Sequence, residues 1–456
     1  MASTYLSRTG IGTSNNRKKW TFSVWLKKCL NGSEQRIITS SDNSSYDDNI
    51  RFESSDQLRI KFNNGTSILT NRLFRDINAY YHIVVKADTA QASANDRLVL
   101  YVNGVDERTV GGYATDTMPS QDSNGYINYA QHYIGVTNPT ANSNHFNGVM
   151  SHIHFTEGYA YTASTFGSTD SVTGEWKINT SPSVSYGTTG FSILKDGITV
   201  TDQSPNSNNF TVAAGTLTKT EDCPSNVFAT LDALNQEAGA NGTTFSNGNT
   251  TYSSGGHANV RFYTTNIGAN SGKYYCEIKP TSLSSHNLIG ISSHGITNAM
   301  SDFYFAGSGN VAHTGDEYEY GYKENGNQVN NATSSSYGNT YTTNDIIGIA
   351  MDLDNNKLYF SKNGVFQNSG DPTSGSTGTG AISITAPAST DTGFYFFAVA
   401  KATSSTDTAT FQCNFGNGYF GTTAVSSAGT NASSIGIFEY DVPTGYTALS
   451  TKGLNE

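Results

Sequence analysis

The sequence predicts an all-β protein: two tandem antiparallel β-sandwiches joined by a short β-rich connector. Three observations predict it. Short runs of aromatic and β-branched residues alternate with polar ones over strand-like lengths and are separated by Gly, Asn and Ser turns. Charged residues make up only 14% of the chain while 27 Tyr and 23 Phe recur along it, which is a core-forming composition and not that of a solvated, disordered chain. The 456 residues are enough for two or three domains, each with a buried core.

The first region spans 1–170. Trp20-Thr-Phe-Ser-Val-Trp-Leu alternates, which places Trp20, Phe22, Val24 and Leu26 on one strand face. Gln57-Leu-Arg-Ile-Lys-Phe repeats the pattern with Leu58, Ile60 and Phe62 inward. Tyr80-Tyr-His-Ile-Val-Val-Lys reads as a buried strand, and Arg97-Leu-Val-Leu-Tyr-Val runs into Asn103-Gly104, a hairpin turn because both residues tolerate positive φ. His132-Tyr-Ile-Gly and Val149-Met-Ser-His-Ile-His-Phe follow as further strands. The connector, 171–228, is bracketed by Pro182 and Pro224 and is too apolar for a free linker. The third region, 229–456, holds Lys273-Tyr-Tyr-Cys-Glu-Ile, Leu288-Ile-Gly-Ile-Ser, and Asp345–Phe366 as two successive hairpins turning at Asn355-Asn356 and Asn363-Gly364. Tyr395-Phe-Phe-Ala-Val-Ala and Thr410-Phe-Gln-Cys-Asn-Phe-Gly close the series. No repeat of solenoid length interrupts this order.

Several of these segments carry resemblances. Tyr5-Leu-Ser-Arg-Thr, Trp20-Thr-Phe-Ser-Val-Trp-Leu-Lys-Lys, Leu100-Tyr-Val-Asn-Gly and Phe146-Asn-Gly-Val-Met-Ser-His-Ile-His-Phe with Tyr161-Thr-Ala-Ser-Thr-Phe-Gly resemble a laminin-G/concanavalin-A-like domain, which implies a jelly-roll sandwich. Gly272-Lys-Tyr-Tyr-Cys-Glu-Ile, Ile-Gly-Ile, Gly348-Ile-Ala-Met-Asp with Phe360-Ser-Lys-Asn-Gly-Val, and Asn414-Phe-Gly resemble a SPRY domain, to which Tyr440-Asp-Val-Pro-Thr-Gly-Tyr also fits. The family's usual Trp near the first motif is replaced by Tyr274 or Tyr275. Thr201-Asp-Gln-Ser-Pro-Asn-Ser-Asn-Asn-Phe and Glu221-Asp-Cys-Pro-Ser-Asn-Val-Phe resemble the inter-domain segment of virion proteins from marine tailed phages.

Net charge is −11, which excludes a nonspecific nucleic-acid binder. The charge is uneven: residues 1–180 carry 16 basic and 16 acidic residues, so the entire excess lies in 181–456. No apolar run reaches about 18 residues and the first residues hold no leader-like apolar stretch, so neither membrane insertion nor secretion is expected. The four cysteines are too scattered for a disulfide framework or a zinc site, and Cys276 and Cys413 read as buried strand thiols.

Few constellations point to chemistry. Gly416-Asn-Gly-Tyr-Phe-Gly421 matches a dinucleotide fingerprint but has no helix after it to receive a pyrophosphate, and no cofactor is expected. His152 and His154, two apart, are expected on one strand face with Met150, the weak candidates for a metal that would need a third ligand. Glu317 and Glu319 are expected on one face beside Asp316, as a solvated acidic edge and not a glycosidase pair. Tyr126, Tyr129, Tyr304, Tyr318 and Tyr322, with Asp316, are the candidate binding residues, because aromatic faces stack on sugars while polar oxygens read the hydroxyls. Arg17, Lys18, Lys19, Lys27 and Lys28 form a basic cluster expected to dock on a larger particle.

With no nucleophile elbow and no catalytic carboxylate pattern, the expected function is non-enzymatic binding. The phage resemblance implies a virion surface protein, a tail fibre or appendage or a head-attached fibre, made in the host cytoplasm and released by lysis. It would contact other virion proteins and a host-surface glycan or protein, as a homo-oligomer and by analogy a trimer. A capsid decoration or tail protein without host ligand and a polysaccharide depolymerase are the competing readings.

Overall fold

The computed structural model describes residues 4–9, 16–42, 47–138, 140–195, 197–234, 243–254, 261–283, 287–293, 316–401 and 408–455. The chain divides into two compact units, Met1–Lys219 with Cys223–Ser225, and Thr220–Asp222 with Asn226–Glu456. Among the described residues each unit is built almost wholly of antiparallel strands in two large sheets.

In the first unit an eight-stranded sheet runs Tyr113–Asp116, Gly65–Leu73, Gln57–Phe62, Asp47–Phe52, Gln35–Ser41, Gln131–Ile134, Tyr5–Arg8 and Thr211–Ala214. Its register lines up Leu6, Ile134, Ile38, Ile50, Ile60 and Ile68 as one aliphatic row across six neighbouring strands. The opposing six-stranded sheet runs Phe191–Ile193, Gly148–Glu157, Lys19–Lys28, Tyr81–Asp88, Leu98–Val102 and Val105–Asp106. It answers with the row Phe191, Phe155, Phe22, Val85 and Leu100. These rows meet in one core, in which Trp20, Phe22, Val24 and Leu26 are buried as their alternation requires. Asn103 and Gly104 both take positive φ, as the hairpin demands.

Much of the segment 171–228, expected as a connector, is incorporated into this unit. Trp176–Ile178 pairs with Gly167–Thr169, Phe191–Ile193 extends the six-stranded sheet, and Thr211–Ala214 pairs with Tyr5–Arg8. Asp202 organises the loop between the last two. Its carboxylate accepts from the backbone of Ser192 (2.8 Å), Ser204 (2.9 Å) and Asn208 (2.7 Å).

Residues 159–190 lie across the outward face of the six-stranded sheet as a roof. Val84, Ala163 and Phe166 are buried there, with Tyr101, Tyr161, Trp176 and Val184 packed around them. The roof explains why the strand Lys19–Lys28 is buried on both faces, although its sequence alternates as if one face met water.

The second unit pairs a nine-stranded sheet, centred on Lys273–Ser282, Ile347–Asp352 and Lys357–Lys362, with a six-stranded sheet centred on Phe396–Lys401, Asn287–Ser292 and Glu319–Lys323. Cys276, Ile278, Ile349, Met351, Phe360, Ile289, Ile291, Phe397, Val399, Phe411 and Cys413 fill the space between them, and both cysteines are free and buried. Gly290 belongs to this arrangement because a Cβ there would stand 1.9 Å from the carbonyl oxygen of Tyr320 on the paired strand. A C-terminal stretch covers the other face of the nine-stranded sheet, where Ile435, Phe438, Val442 and Tyr446 pack on Tyr275, Ala350 and Tyr359. Within it, Thr447–Ala448 pairs in parallel with Tyr274 and Tyr275.

Candidate functional site

The loop between Tyr113–Asp116 and Gln131–Ile134 meets the stretch just before Lys19–Lys28, and this meeting builds the aromatic site of the first unit. Asn16 shapes the approach: its side-chain oxygen accepts from the backbone of Lys18 (3.0 Å) and Lys19 (2.9 Å). Arg17 and Gly125 exchange bonds, Arg17 Nε donating to the Gly125 carbonyl (2.8 Å) and the Gly125 amide to the Arg17 carbonyl (3.2 Å). A side chain at Gly125 would stand 2.8 Å from the Phe62 ring, so glycine is required for this close approach. The Tyr126 amide donates to Asp48 (2.6 Å), which also accepts from Asn63 (3.0 Å) and Asn64 (2.9 Å). Burial pushes the Asp48 carboxyl above its ordinary pKa, and those three backbone donors act against the rise.

This frame holds the Arg17 guanidinium between two rings, 4.6 Å from the centroid of Tyr126 and 4.1 Å from that of Tyr129. The rings meet edge to face at 5.7 Å. Each cation–π contact is worth about 0.5–1 kcal/mol at such a site. Tyr126 is half-buried, while Tyr129 is 46% exposed. The arrangement presents a braced aromatic face beside a guanidinium, able to stack on a sugar ring and donate to its oxygens.

The other candidates fare differently. Tyr304 lies outside the described residues. Asp316 and Tyr318 fall in a short 3-10 turn; Tyr318 is half-buried, and the Asp316 side chain lies outside the described set. Tyr322 is corrected to a core residue: it is fully buried, stacks on Phe360 at 5.3 Å and donates its hydroxyl to the Asn339 carbonyl, so no ligand reaches it. Glu319 is fully buried too and accepts from Ser292 Oγ (3.1 Å), so the expected solvated edge with Glu317 does not form.

The basic cluster is not a patch. Lys27 and Lys28 are fully buried, Lys28 pairing with Asp56 (3.0 Å) and donating to the Phe74 carbonyl (2.9 Å). Lys18 pairs with Asp122 (3.1 Å), Lys19 with Asp88 (3.2 Å), and Arg17 is the clamped residue above. Adjacency in sequence does not become adjacency at a surface, because strand residues point alternately to faces that are both covered here.

His154 does not share a face with Met150, contrary to what the alternation predicts. A bulge shifts the register between Ser151 opposite Trp25 and His154 opposite Ser23, with His152 at φ +49°. Met150 thereby packs against the core, where Ile153 and Phe155 also lie, while His154 turns outward under the roof. Among the described residues no group of three or more His, Cys, Asp or Glu is placed to hold a metal ion.

Sequence reasoning missed three buried titratable groups, His82, His154 and Glu277. On the outward face of the six-stranded sheet, Trp176 Nε1 donates to His82 Nδ1 (2.9 Å), and His82 Nε2 bonds Ser23 Oγ (2.9 Å). His154 Nδ1 bonds the Tyr186 hydroxyl (2.9 Å). Burial pushes both imidazoles down to about 3. In the second unit Glu277 accepts from the amides of Glu439 and Tyr440 (both 2.8 Å), from Tyr275 (3.2 Å) and from Asn414 (3.3 Å). Burial outweighs these donors and pushes its carboxyl up to about 7. Nothing local marks these residues; only the long-range register brings their partners to them.

Comparison with known proteins agrees with the two folds. Residues 2–159 match the Concanavalin A-like lectin/glucanases superfamily, and residues 273–387 match the SPRY domain. No curated protein matches the chain. Similar solved structures include the SPRY domain of human HERC1, at 15% identity and TM-score 0.28, covering 38% of this chain and 91% of that one. The TRIM65 PSpry domain shares 10% identity at TM-score 0.28, covering 41% and 91%. Stonustoxin shares 15% identity at TM-score 0.27, covering 41% of this chain and 27% of the toxin. The chain carries a concanavalin-A-like domain followed by a SPRY domain.

Proposed function

We propose that this chain is a non-enzymatic surface protein of a tailed-phage virion, part of a tail fibre, tail appendage or head fibre, that binds a host-surface glycan. The observation that carries the glycan reading is the Tyr129 face, exposed in a loop yet braced by Arg17 and Tyr126. An aromatic surface fixed before its ligand arrives loses little conformational freedom on binding, which favours a shallow carbohydrate contact. The match of residues 2–159 to a superfamily that includes lectins supports the same reading. The virion assignment rests on the resemblance of the segments at 201–210 and 221–228 to phage virion proteins.

The test is co-sedimentation of the full chain with host cells and with their extracted surface polysaccharide, for the native protein and Tyr129→Ala. The native chain binds both, and Tyr129→Ala loses at least tenfold in affinity with an unchanged melting temperature. Equal binding by the two proteins would remove the site. Mass spectrometry of purified particles tests the virion assignment, which fails if the chain is absent from them.

A further inference from the structure

The roof over the six-stranded sheet of the first unit is anchored at its ends and latched in its middle, by different chemistry. At one end Thr21 Oγ1 donates to the Tyr159 carbonyl (3.0 Å) and accepts from the Tyr161 amide (2.8 Å). At the other, Glu157 accepts from the amides of Thr188 (2.9 Å) and Thr189 (2.8 Å). Between these anchors the side-chain attachments to the sheet include Trp176 to His82 and Tyr186 to His154, and the Tyr186 carbonyl also accepts from the Glu157 amide (3.0 Å).

The latch at His82 has one workable protonation state. An indole N–H only donates, so Nδ1 of His82 must be the unprotonated acceptor, and the ring proton sits on Nε2, facing Ser23. The ring lies stacked on Trp25 at 4.6 Å, with the Trp176 ring 6.0 Å away and nearly parallel at its Nδ1 edge. Trp176 in turn fits against glycines: a Cβ at Gly104 or Gly167 would stand 2.5 or 2.6 Å from its ring. Protonation of Nδ1 would set two N–H groups against each other inside this closed packing. Against the desolvation of a buried charge, the surroundings offer an imidazolium the face of Trp25 and no carboxylate among the groups acting on it. The facing groups are Ser23 and Trp25 from one neighbouring strand, Asn103 beyond the other, Trp176 from the roof, and His154, the titratable neighbour that acts on it, which disfavours a second positive charge.

We propose that the His82–Trp176 contact is an acid-sensitive latch: taking up a proton at His82 Nδ1 releases the part of the roof between Tyr161 and Thr188, and uncovers the face around Trp25, Val84 and Tyr101. The latch belongs to the first unit's outward sheet face and does not involve the Arg17–Tyr129 site, so it stands independently of the proposed function.

Its strength follows from linkage. His82 held closed has its pKa pushed down to about 3, whereas a released histidine returns to about 6.5. The closed state is therefore favoured above pH ~6.5, and each unit below that multiplies the opening equilibrium by up to about ten at His82. The experiment is hydrogen exchange of the full chain at pH 7, 6 and 5, read by mass spectrometry and corrected for the intrinsic pH dependence of exchange. Protection of the roof between Tyr161 and Thr188 falls about eightfold between pH 6 and pH 5 through His82, while the strand Lys19–Lys28 stays protected. His82→Gln keeps an acceptor for Trp176 without a titrating proton, and its roof protection lacks this fall. Trp176→Phe, which removes the donor, opens the roof already at pH 7 and serves if His82→Gln fails to fold. Roof protection that does not change between pH 7 and 5, or a native response retained in His82→Gln, overturns the latch.

Discussion

Raising the pH from 5 to 8 should weaken the second unit, and Glu277 sets the size of the effect. Its carboxyl is pushed up to about 7 by burial between the nine-stranded sheet and the C-terminal cover, against about 4.5 in the unfolded chain. A group whose folded pKa lies above its unfolded value stabilises fully below the unfolded value, and that contribution is lost as pH rises through the folded one. The shift corresponds to about 3 kcal/mol, lost between pH ~4.5 and ~7. For a domain of this size that is roughly 6–12 °C in melting temperature. The assay is calorimetry of the full chain at pH 5, 6, 7 and 8. Trp20, Trp25 and Trp176 all lie in the first unit, so tryptophan fluorescence identifies that unit's transition and the other belongs to the second. Glu277→Gln should flatten the pH dependence of the second transition. A second transition that stays put or rises between pH 5 and 8 would refute the reasoning.

Three further outcomes follow from the packing. His132 is fully buried among Phe155, Phe191 and Phe210 and is pushed down to about 3, so the first unit loses about 1.4 kcal/mol per pH unit below ~6.5 through this residue, and His132→Phe reduces the acid slope of tryptophan-monitored urea unfolding. Asp56→Ala strands the buried Lys28 ammonium and costs about 3–5 kcal/mol in the same assay, whereas Lys28→Met costs less, because Asp56 keeps Arg75 (3.3 Å) and the Gly32 amide (2.9 Å). Gly290→Ala drives a methyl into the Tyr320 carbonyl and costs about 3 kcal/mol or more, read as a fall of the second calorimetric transition alone.

The strands of both cores were legible because one-sided alternation is a local signal. Trp20, Phe22, Val24 and Leu26 lie where their spacing places them, and Asn103-Gly104 and Asn363-Gly364 turn with the positive φ values their chemistry allows. What covers the outer faces was not legible. Lys27 and Lys28 read as surface cations, whereas both are fully buried, Lys27 near the Tyr80 ring and Lys28 paired with Asp56, and His152 reads as an ordinary strand residue although it sits in a bulge. Tyr322, among many tyrosines in polar sequence, gave no sign that its ring fills the core beside Phe360. Of the aromatic site, Tyr126 and Tyr129 were legible as loop aromatics; their clamp on Arg17, more than a hundred positions earlier in the chain, was not.

The central claim is binding without bond cleavage, and the most direct measurement follows both on one sample. The full chain is incubated with host-surface polysaccharide of defined length and passed over a sizing column with light-scattering detection, and reducing ends are assayed in parallel. The account predicts a protein–polysaccharide complex that Tyr129→Ala does not form, with polymer length and reducing ends unchanged. Shortened polymer with new reducing ends, or no complex with the native chain, would contradict it.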